Sequence, residues 1–321
     1  IGPDAFGSPL VNLVMSPVGH STGFFWGALM SAHLGGTAVY LERWQPELAL
    51  RVLDEQRITT MIGSPTFLLD VLRTEGASAD RVPDLRLVAM AGAPVPRPLV
   101  AKARRQLDCA VVPAWGMTEY GIGVSGSPEL ARERIETTDG RPVPGCQVRV
   151  CHADSPADPG EEGDLQIRGP GLFAGYYGRP DFTADALTPD GWFRTGDRAV
   201  IEADGHVSLM GRTKDIVIRG GENIPVIEIE NLLYTHPAVA EVAVIGVPDE
   251  RLGERVCAVI AAKPGLAPPD LPTVSEFLLT EGLSKRYLPE RLVVLDELPK
   301  TMSGKIRKVE LRQRYREGVV S

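Results

Sequence analysis

The sequence is poor in several features that would have fixed its class at once. Its 321 residues hold only four cysteines, Cys109, Cys146, Cys151 and Cys257, with neither CxxC nor zinc-ligand spacing. They read as reduced thiols, not as a disulfide frame or a metal centre. No uninterrupted apolar run approaches the about 20 residues that a membrane span needs. A net charge of −8 argues against a nucleic-acid binder. No H-E-x-x-H or paired-cysteine motif is present, so zinc-protease and haem chemistries lack their partners. No signal peptide or C-terminal address stands out, and a cytoplasmic location is the expectation. The chain opens at Ile1 rather than Met, which suggests a piece of a longer protein.

What is present organises into three patterns. From about residue 10 to 125, apolar strands alternate with helices: TAVYLE (37–42), PELALRVLDEQR (46–57), TTMIG (59–63), LRLVAMAG (85–92), PRPLVAKARRQL (96–107) and AVVPAWG (110–116). Ser64-Pro65 reads as an N-cap with proline at the first helical position. Such repetition predicts a parallel, helix-covered sheet with its ligand site beyond the strands' C-terminal ends. From about 140 to 210, short alternating runs between Pro-Gly, Asp-Gly and Glu-Gly turns predict an antiparallel meander or small barrel, with a hairpin at Asp204-Gly205. From about 213 on, strand IVIRG, helix PVIEIENLLYTH, strands EVAVIGVP and RVCAVIAA, helix TVSEFLLTE and strand RLVVLDEL predict a small α+β unit. The fold class is therefore α/β: a parallel helix-covered sheet, then a small antiparallel β-barrel-like subdomain, then a small α+β C-terminal domain. The expected domains are 1–212, with the α/β sheet to about 138 and the β meander over 139–212, and 213–321.

Four segments offer chemistry, each with a plainer alternative. WGMTEYG (115–121) follows a strand. Thr118 could bond phosphate and Glu119 could hold Mg²⁺, with Gly116 and Gly121 allowing close approach and Trp115 giving a flat face; otherwise Thr118 and Glu119 simply begin a helix. AGAPVP (91–96) exposes backbone to a purine edge, or only connects elements. Asp197 in WFRTGDRA could accept both ribose hydroxyls, or sit in an ordinary Gly-Asp turn. In SPVGHSTGFFWG (16–27), His20 could orient a carboxylate while Gly23, Phe24 and Phe25 line an apolar pocket; a lone histidine is more often structural. Near the end, Pro299 to Arg316 carries seven Lys/Arg and one acidic residue, Glu310. That patch suits a small anion, or is the polar face of a terminal helix.

Taken together and in order, GAP (92–94), WGMTE (115–119), GDLQIRGPGLFAGYY (163–177), WFRTGD (192–197), GRTKDIVIRGGENI (211–224) and PKTMSGKIRK (299–308) resemble the acyl-adenylate-forming superfamily. This group includes acyl-CoA synthetases, nonribosomal peptide adenylation domains and beetle luciferases. The resemblance covers nearly the whole chain. It implies a two-step reaction: a carboxylate attacks the α-phosphate of ATP to give an acyl-adenylate, and a thiol, usually coenzyme A, then displaces AMP. On that resemblance Thr118 contacts phosphate and Glu119 binds Mg²⁺. Trp115, Gly116 and Met117 with Gly92, Ala93 and Pro94 frame the adenine, and Asp197 and Arg212 hold the ribose. Lys305 reaches the α-phosphate and the acyl carboxylate during adenylation. His20 gates the carboxylate, with Gly23, Phe24, Phe25, Met117 and Gly121 near the acyl pocket. The C-terminal domain would turn about a hinge at Lys214, and Gly220 and Gly221 would line the thiol tunnel.

One departure stands out. The superfamily's TSGTTGxPKG-like phosphate loop belongs upstream of His20 and is missing, so the chain alone is expected to be impaired in adenylation. The expected partners are ATP, coenzyme A, Mg²⁺ and a small carboxylic acid, with no nucleic acid and no membrane span; a homodimer is left open. A medium-sized apolar acid (alicyclic, aromatic or medium-chain fatty) ranks first and a long-chain fatty acid second, because no aspartate is placed to meet an amino group. Competing readings are an acyl-AMP ligase that loads a carrier protein and a catalytically impaired nucleotide-binding fragment.

Overall fold

The computed structural model describes residue 6 and residues 9–130, 132–153 and 155–319. Residues 1–5, where the sequence opens without methionine, lie outside this set. The chain divides into two compact units: Ile1–Leu209 together with Met302–Lys305, and Met210–Thr301 together with Ile306–Ser321. No helix among the described residues is long and apolar enough to cross a membrane.

The first unit is built on a sheet of seven strands: β1 (Val11–Val14), β2 (Thr37–Tyr40), β3 (Thr60–Gly63), β4 (Leu87–Met90), β5 (Ala110–Met117), β6 (Gly121–Ser125) and β7 (Arg141–Pro142), in the order β2-β1-β3-β4-β5-β6-β7. The first five run parallel, and β6 and β7 are antiparallel additions. Buried strands need apolar side chains on both faces, and these have them. Met61, Val88, Met90 and Val111 pack under the helices Pro46–Glu55, Pro65–Arg73 and Arg97–Leu107 through Leu53, Leu68 and Val100. Ile62, Leu87, Ala89 and Val112 form a second cluster with Leu10, Trp26 and Met30. Ser64 does occupy the N-cap of helix Pro65–Arg73, but its hydroxyl makes no cap bond. The Phe67 N–H that it would accept goes instead to the Ser64 carbonyl at 3.2 Å.

The meander follows as β8 (Gln147–His152), β9 (Ser155–Pro156), β10 (Glu162–Arg168), β11 (Phe193–Ile201) and β12 (Val207–Arg212), in the order β12-β11-β10-β8-β9. Gly205, at φ +83°, closes the expected β11–β12 hairpin. Arg97 opens the helix that follows the GAP turn, and it pairs with buried Asp139 at 2.6 Å. The same Asp139 oxygen accepts the Leu209 N–H of β12 at 2.8 Å. One carboxylate thus ties the α/β layer to the meander.

The second unit holds β13 (Val217–Arg219), β14 (Glu222–Ile224), β15 (Val239–Asp249), β16 (Gly253–Ala262) and β17 (Arg291–Leu295). The long β15–β16 hairpin sorts its side chains by alternation. Val242, Val244, Val256 and Ile260 face helices Val226–Leu233 and Leu271–Thr280 through Ile229 and Val274. Ile245, Cys257 and Val259 face Leu311 of helix Lys308–Arg316. Burial pushes the Cys257 thiol up to about 12, which fits an inert core thiol. Five of the seven C-terminal basic residues are held in ion pairs inside this unit: Lys300 with Glu241, Lys308 with Glu230, Arg312 with Asp215, and both Arg307 and Arg314 with Glu310. The basic run is thus largely structural.

Replacing Asp139 by alanine removes the Arg97 ion pair and leaves the Leu209 N–H without its acceptor. The expected cost is about 3 kcal/mol of stability, read from urea unfolding of the 321-residue chain; a loss within experimental error would refute the tie.

Candidate active site

The site grows from the β5–β6 hairpin. Met117 pairs with Gly121 across a three-residue loop, Thr118-Glu119-Tyr120, and Gly121 takes φ +89°. A three-residue hairpin loop asks for a left-handed residue at this place. Gly116 is equally constrained, because a Cβ there would lie 2.0 Å from the Gly121 carbonyl oxygen. Thr118 and Glu119 therefore sit on a tight turn and do not begin a helix. The turn exposes the Thr118 side chain, whose hydroxyl lies 3.5 Å from Ser21 Oγ.

Ser21 and His20 lead into a π-helix, Thr22–Leu29, a geometry that recurs at functional sites. Gly23 is buried, and a Cβ on it would lie 2.1 Å from the Pro17 carbonyl oxygen, so this glycine lets the helix fold back on its own entry turn. Phe24 and Phe25 are partly exposed, with ring centroids 5.7 Å apart. The Thr22 N–H donates to His20 Nδ1 at 3.2 Å, which assigns the neutral ring's proton to Nε2. Burial, and then the nearby Lys305 charge, hold His20 below the ordinary histidine range.

Lys305 lies in the run Met302–Lys305, which packs as part of the first unit. Thr66 Oγ1 donates to the Gly304 carbonyl at 2.9 Å. Gly304 has φ +77°, and a Cβ there would lie 2.8 Å from Ser64 Oγ. The Lys305 side chain crosses the GAP turn: a Cβ on Gly92 would lie 2.9 Å from Lys305 Cε and 3.3 Å from Nζ. Gly92 is favoured by its backbone, at φ +87°, with the flexible end of the lysine lying over it; Ala93 and Pro94 complete the turn.

Asp197 reaches the site through a β-bulge. Between the pairs Arg194–Gln166 and Arg198–Asp164, β11 carries three residues against one on β10. Gly196 supplies φ +72° there. Thr195 Oγ1 donates to the Leu165 carbonyl at 2.7 Å and accepts the Asp197 N–H at 3.0 Å. Buried Asp197 in turn accepts the Trp115 indole N–H at 3.0 Å. A second irregularity, at Gly123 on β6, makes room for that indole, since a Cβ on Gly123 would lie 2.7 Å from the ring. Bulges that re-aim side chains beside functional sites are common. The Trp115–Asp197 link joins two motifs that sequence reasoning treated separately.

Glu119 has a partner the sequence did not announce. The Tyr176 hydroxyl donates to Glu119 Oε1 at 2.9 Å. Burial first, and then this carboxylate, push the Tyr176 phenol up.

The remaining expected residues belong to the second unit, apart from the ones above. Arg212 ends β12, and Lys214 follows in the short turn Thr213–Asp215. Asp215 is fixed by Arg312 at 2.7 Å. Gly220 (φ +60°) and Gly221 (φ +86°) form the two-residue turn of the β13–β14 hairpin. Consecutive positive φ values alone call for glycine here.

Among the described residues no cluster of three or more His, Cys, Asp or Glu could hold a metal by itself. One carboxylate beside phosphate oxygens is, however, a normal arrangement for Mg²⁺.

Comparison with known proteins accords with this geometry. The profile of a family described as "AMP-binding enzyme" matches residues 4–177, and that of the "AMP-binding enzyme C-terminal domain" matches residues 228–305. The chain is 34% identical over 304 residues to the medium-chain fatty-acid–CoA ligase of Escherichia coli (strain K12), covering 94% of this chain and 54% of the relative. It is 36% identical over 311 residues to a feruloyl-CoA synthase of an Amycolatopsis species, covering 94% and 61%. The ATP-bound crystal structure of MatB from Rhodopseudomonas palustris superposes with a TM-score of 0.88 at 28% identity, covering 98% of this chain and 63% of that one. The chain thus spans little more than half the length of its curated relatives. On the family match over 4–177, this chain belongs to the AMP-binding enzymes.

Proposed function

We propose that the protein containing this chain is an ATP-dependent acid–CoA ligase that acts on a medium-sized apolar carboxylic acid. The observation that carries the reading is the gathering, in one unit, of the Thr118–Glu119 turn, the His20–Ser21 segment and Lys305 laid across Gly92. These groups serve a crowded, negatively charged reaction at phosphorus.

In the first step a carboxylate oxygen of the acid bonds to the α-phosphorus of ATP. The bond from that phosphorus to the bridging oxygen breaks, and pyrophosphate leaves. Lys305 brings a compact positive charge to the phosphate and carboxylate oxygens, where charge accumulates. The Thr118 hydroxyl bonds phosphate, and Glu119 would hold Mg²⁺, which supplies charge neutralisation when bound. Asp197, aimed by Trp115, accepts from the ribose hydroxyls and Arg212 donates to the ribose oxygens, while Gly92, Ala93, Pro94, Gly116 and Met117 frame the adenine. His20, kept neutral by burial and by Lys305, sits beside an acyl group without a charge of its own. Partly exposed Phe24 and Phe25, with Met117 and Gly121, favour an apolar acyl group.

In the second step the thiol sulfur of coenzyme A bonds to the acyl carbon, loses its proton, and AMP leaves. Lys214 is the hinge between the steps, and Gly220 and Gly221 border the path of the thiol arm.

These assignments are testable in the chain and in a protein joining it to the part of the E. coli relative it does not match. Pyrophosphate release across a panel of carboxylic acids with CoA should favour medium-sized apolar acids; a flat response across the panel would contradict the reading. Lys305→Ala should lower acid-dependent ATP–pyrophosphate exchange by about 100- to 1000-fold, while thioester formation from supplied acyl-AMP persists. If both half-reactions fall equally, Lys305 does not belong to one step. Removing the lysine charge should also raise the His20 pKa, read by NMR titration of its ring; an unchanged or lower value would separate the two groups. Lys214→Pro, which fixes the dihedral a hinge must turn, should slow the thioester step and spare exchange. Unaltered thioester formation would place the pivot elsewhere.

A further inference from the structure

The segment Gly169–Thr183 is folded onto the Thr118–Tyr120 turn so closely that only certain residues fit. A Cβ on Gly169 would lie 2.4 Å from the Tyr120 hydroxyl, and one on Gly171 would lie 2.7 Å from the Tyr120 carbonyl oxygen. The Phe173 N–H donates to the Glu119 carbonyl at 2.8 Å. The Phe173 ring packs edge-on against both Tyr176, at 4.8 Å, and Phe193, at 5.6 Å. Beyond it the chain turns at Gly175, φ +145°, and the Tyr176 N–H donates to Thr183 Oγ1 at 2.9 Å. Thr183 is anchored in turn by the Arg179 carbonyl, which accepts its N–H and its hydroxyl, each at 3.1 Å. Every link in this path fixes the Tyr176 ring, and its hydroxyl ends on Glu119 Oε1 at 2.9 Å. Among the described residues the Glu119 carboxylate makes no second hydrogen bond.

We propose that Tyr176 is a positioning residue for the metal-binding carboxylate: it occupies Oε1 of Glu119, presents Oε2 alone to the cation, and so biases the site toward Mg²⁺ over Ca²⁺. The inference rests on the reading of Glu119 as the metal ligand. A carboxylate on a tight surface turn would otherwise rotate between one- and two-oxygen ligation. Mg²⁺ keeps a strict six-fold shell and takes single carboxylate oxygens, whereas Ca²⁺ readily accepts both oxygens of one carboxylate. Outer partners that orient ligands are typically worth about 10- to 100-fold in metal affinity. The phenol acts through Glu119 and touches no reacting atom.

The test uses the 321-residue chain and Mn²⁺–ATP as probe, read by water-proton relaxation enhancement, with Mg²⁺–ATP and Ca²⁺–ATP as competitors. Glu119→Gln should abolish the enhancement. Tyr176→Phe keeps the ring packed on Phe173 and removes only the hydroxyl. It should bind Mn²⁺–ATP about tenfold more weakly, with the preference for Mg²⁺ over Ca²⁺ reduced. Wild-type affinity in Tyr176→Phe overturns the proposal, and so does equal weakening for all three ions, which would make the segment a mere prop. An unaltered chain that gives no enhancement, or one that Glu119→Gln leaves intact, overturns the metal-ligand reading itself and this inference with it.

Discussion

Gly116 and the Gly121 carbonyl oxygen press against each other so closely that no side chain fits between the arms of the β5–β6 hairpin. A Cβ at Gly116 would sit 2.0 Å from that oxygen. This constraint makes the turn short, and the shortness puts Thr118 and Glu119 side by side at the end of the parallel sheet. The crevice beyond parallel strand ends is the favoured ligand site of such sheets. The π-helix approaches this turn through Ser21 and the Gly169–Thr183 segment through Phe173 and Tyr176, while Lys305 lies across the GAP turn. A larger residue at position 116 would splay the hairpin and disperse these approaches together.

The meander contributes precision to the same place. A bulge costs sheet pairing, and two occur where Trp115 and Asp197 meet. The buried carboxylate is stabilised by the indole N–H and by its own backbone bond to Thr195, so its orientation is set before any ligand arrives. Preorganised polar groups of this kind do not need to reorganise when charge develops. Asp139 plays a purely architectural role by comparison, joining helix, strand and loop through Arg97 and the Leu209 N–H.

Much of the fold was readable from the sequence, because buried parallel strands and amphipathic helices carry strong local patterns. MIG, LVAM and AVVP are apolar on both faces, and such strands must lie inside an α/β layer. The helix expected over TVSEFLLTE (273–281) instead spans Leu271–Thr280, its start marked by Asp270, which caps the Thr273 N–H at 2.9 Å, and by Pro272. The π-helix was not readable, since TGFFWGAL has no periodicity that separates it from an ordinary helix. Ser64 takes the N-cap place expected of it, but its hydroxyl makes no cap bond, because the Ser64 carbonyl accepts the Phe67 N–H. In the site, the individual motifs were visible and their links were not. Trp115 and Asp197 are 82 residues apart, and Tyr176 and Glu119 are 57 apart; pairings across such distances depend on bulges and glycine turns that only the folded chain displays. The C-terminal basic run looked like an anion site, yet most of its charges are spent on ion pairs within the second unit.

The proposed first step is attack at the α-phosphorus by the acid's own oxygen. An acid labelled with ¹⁸O in its carboxylate, carried through thioester formation by the joined protein with ATP and CoA, reads this directly. Attack at phosphorus puts one labelled oxygen in the AMP released and none in pyrophosphate or inorganic phosphate. Label appearing in inorganic phosphate, with AMP unlabelled, would mean an acyl phosphate route and would contradict it.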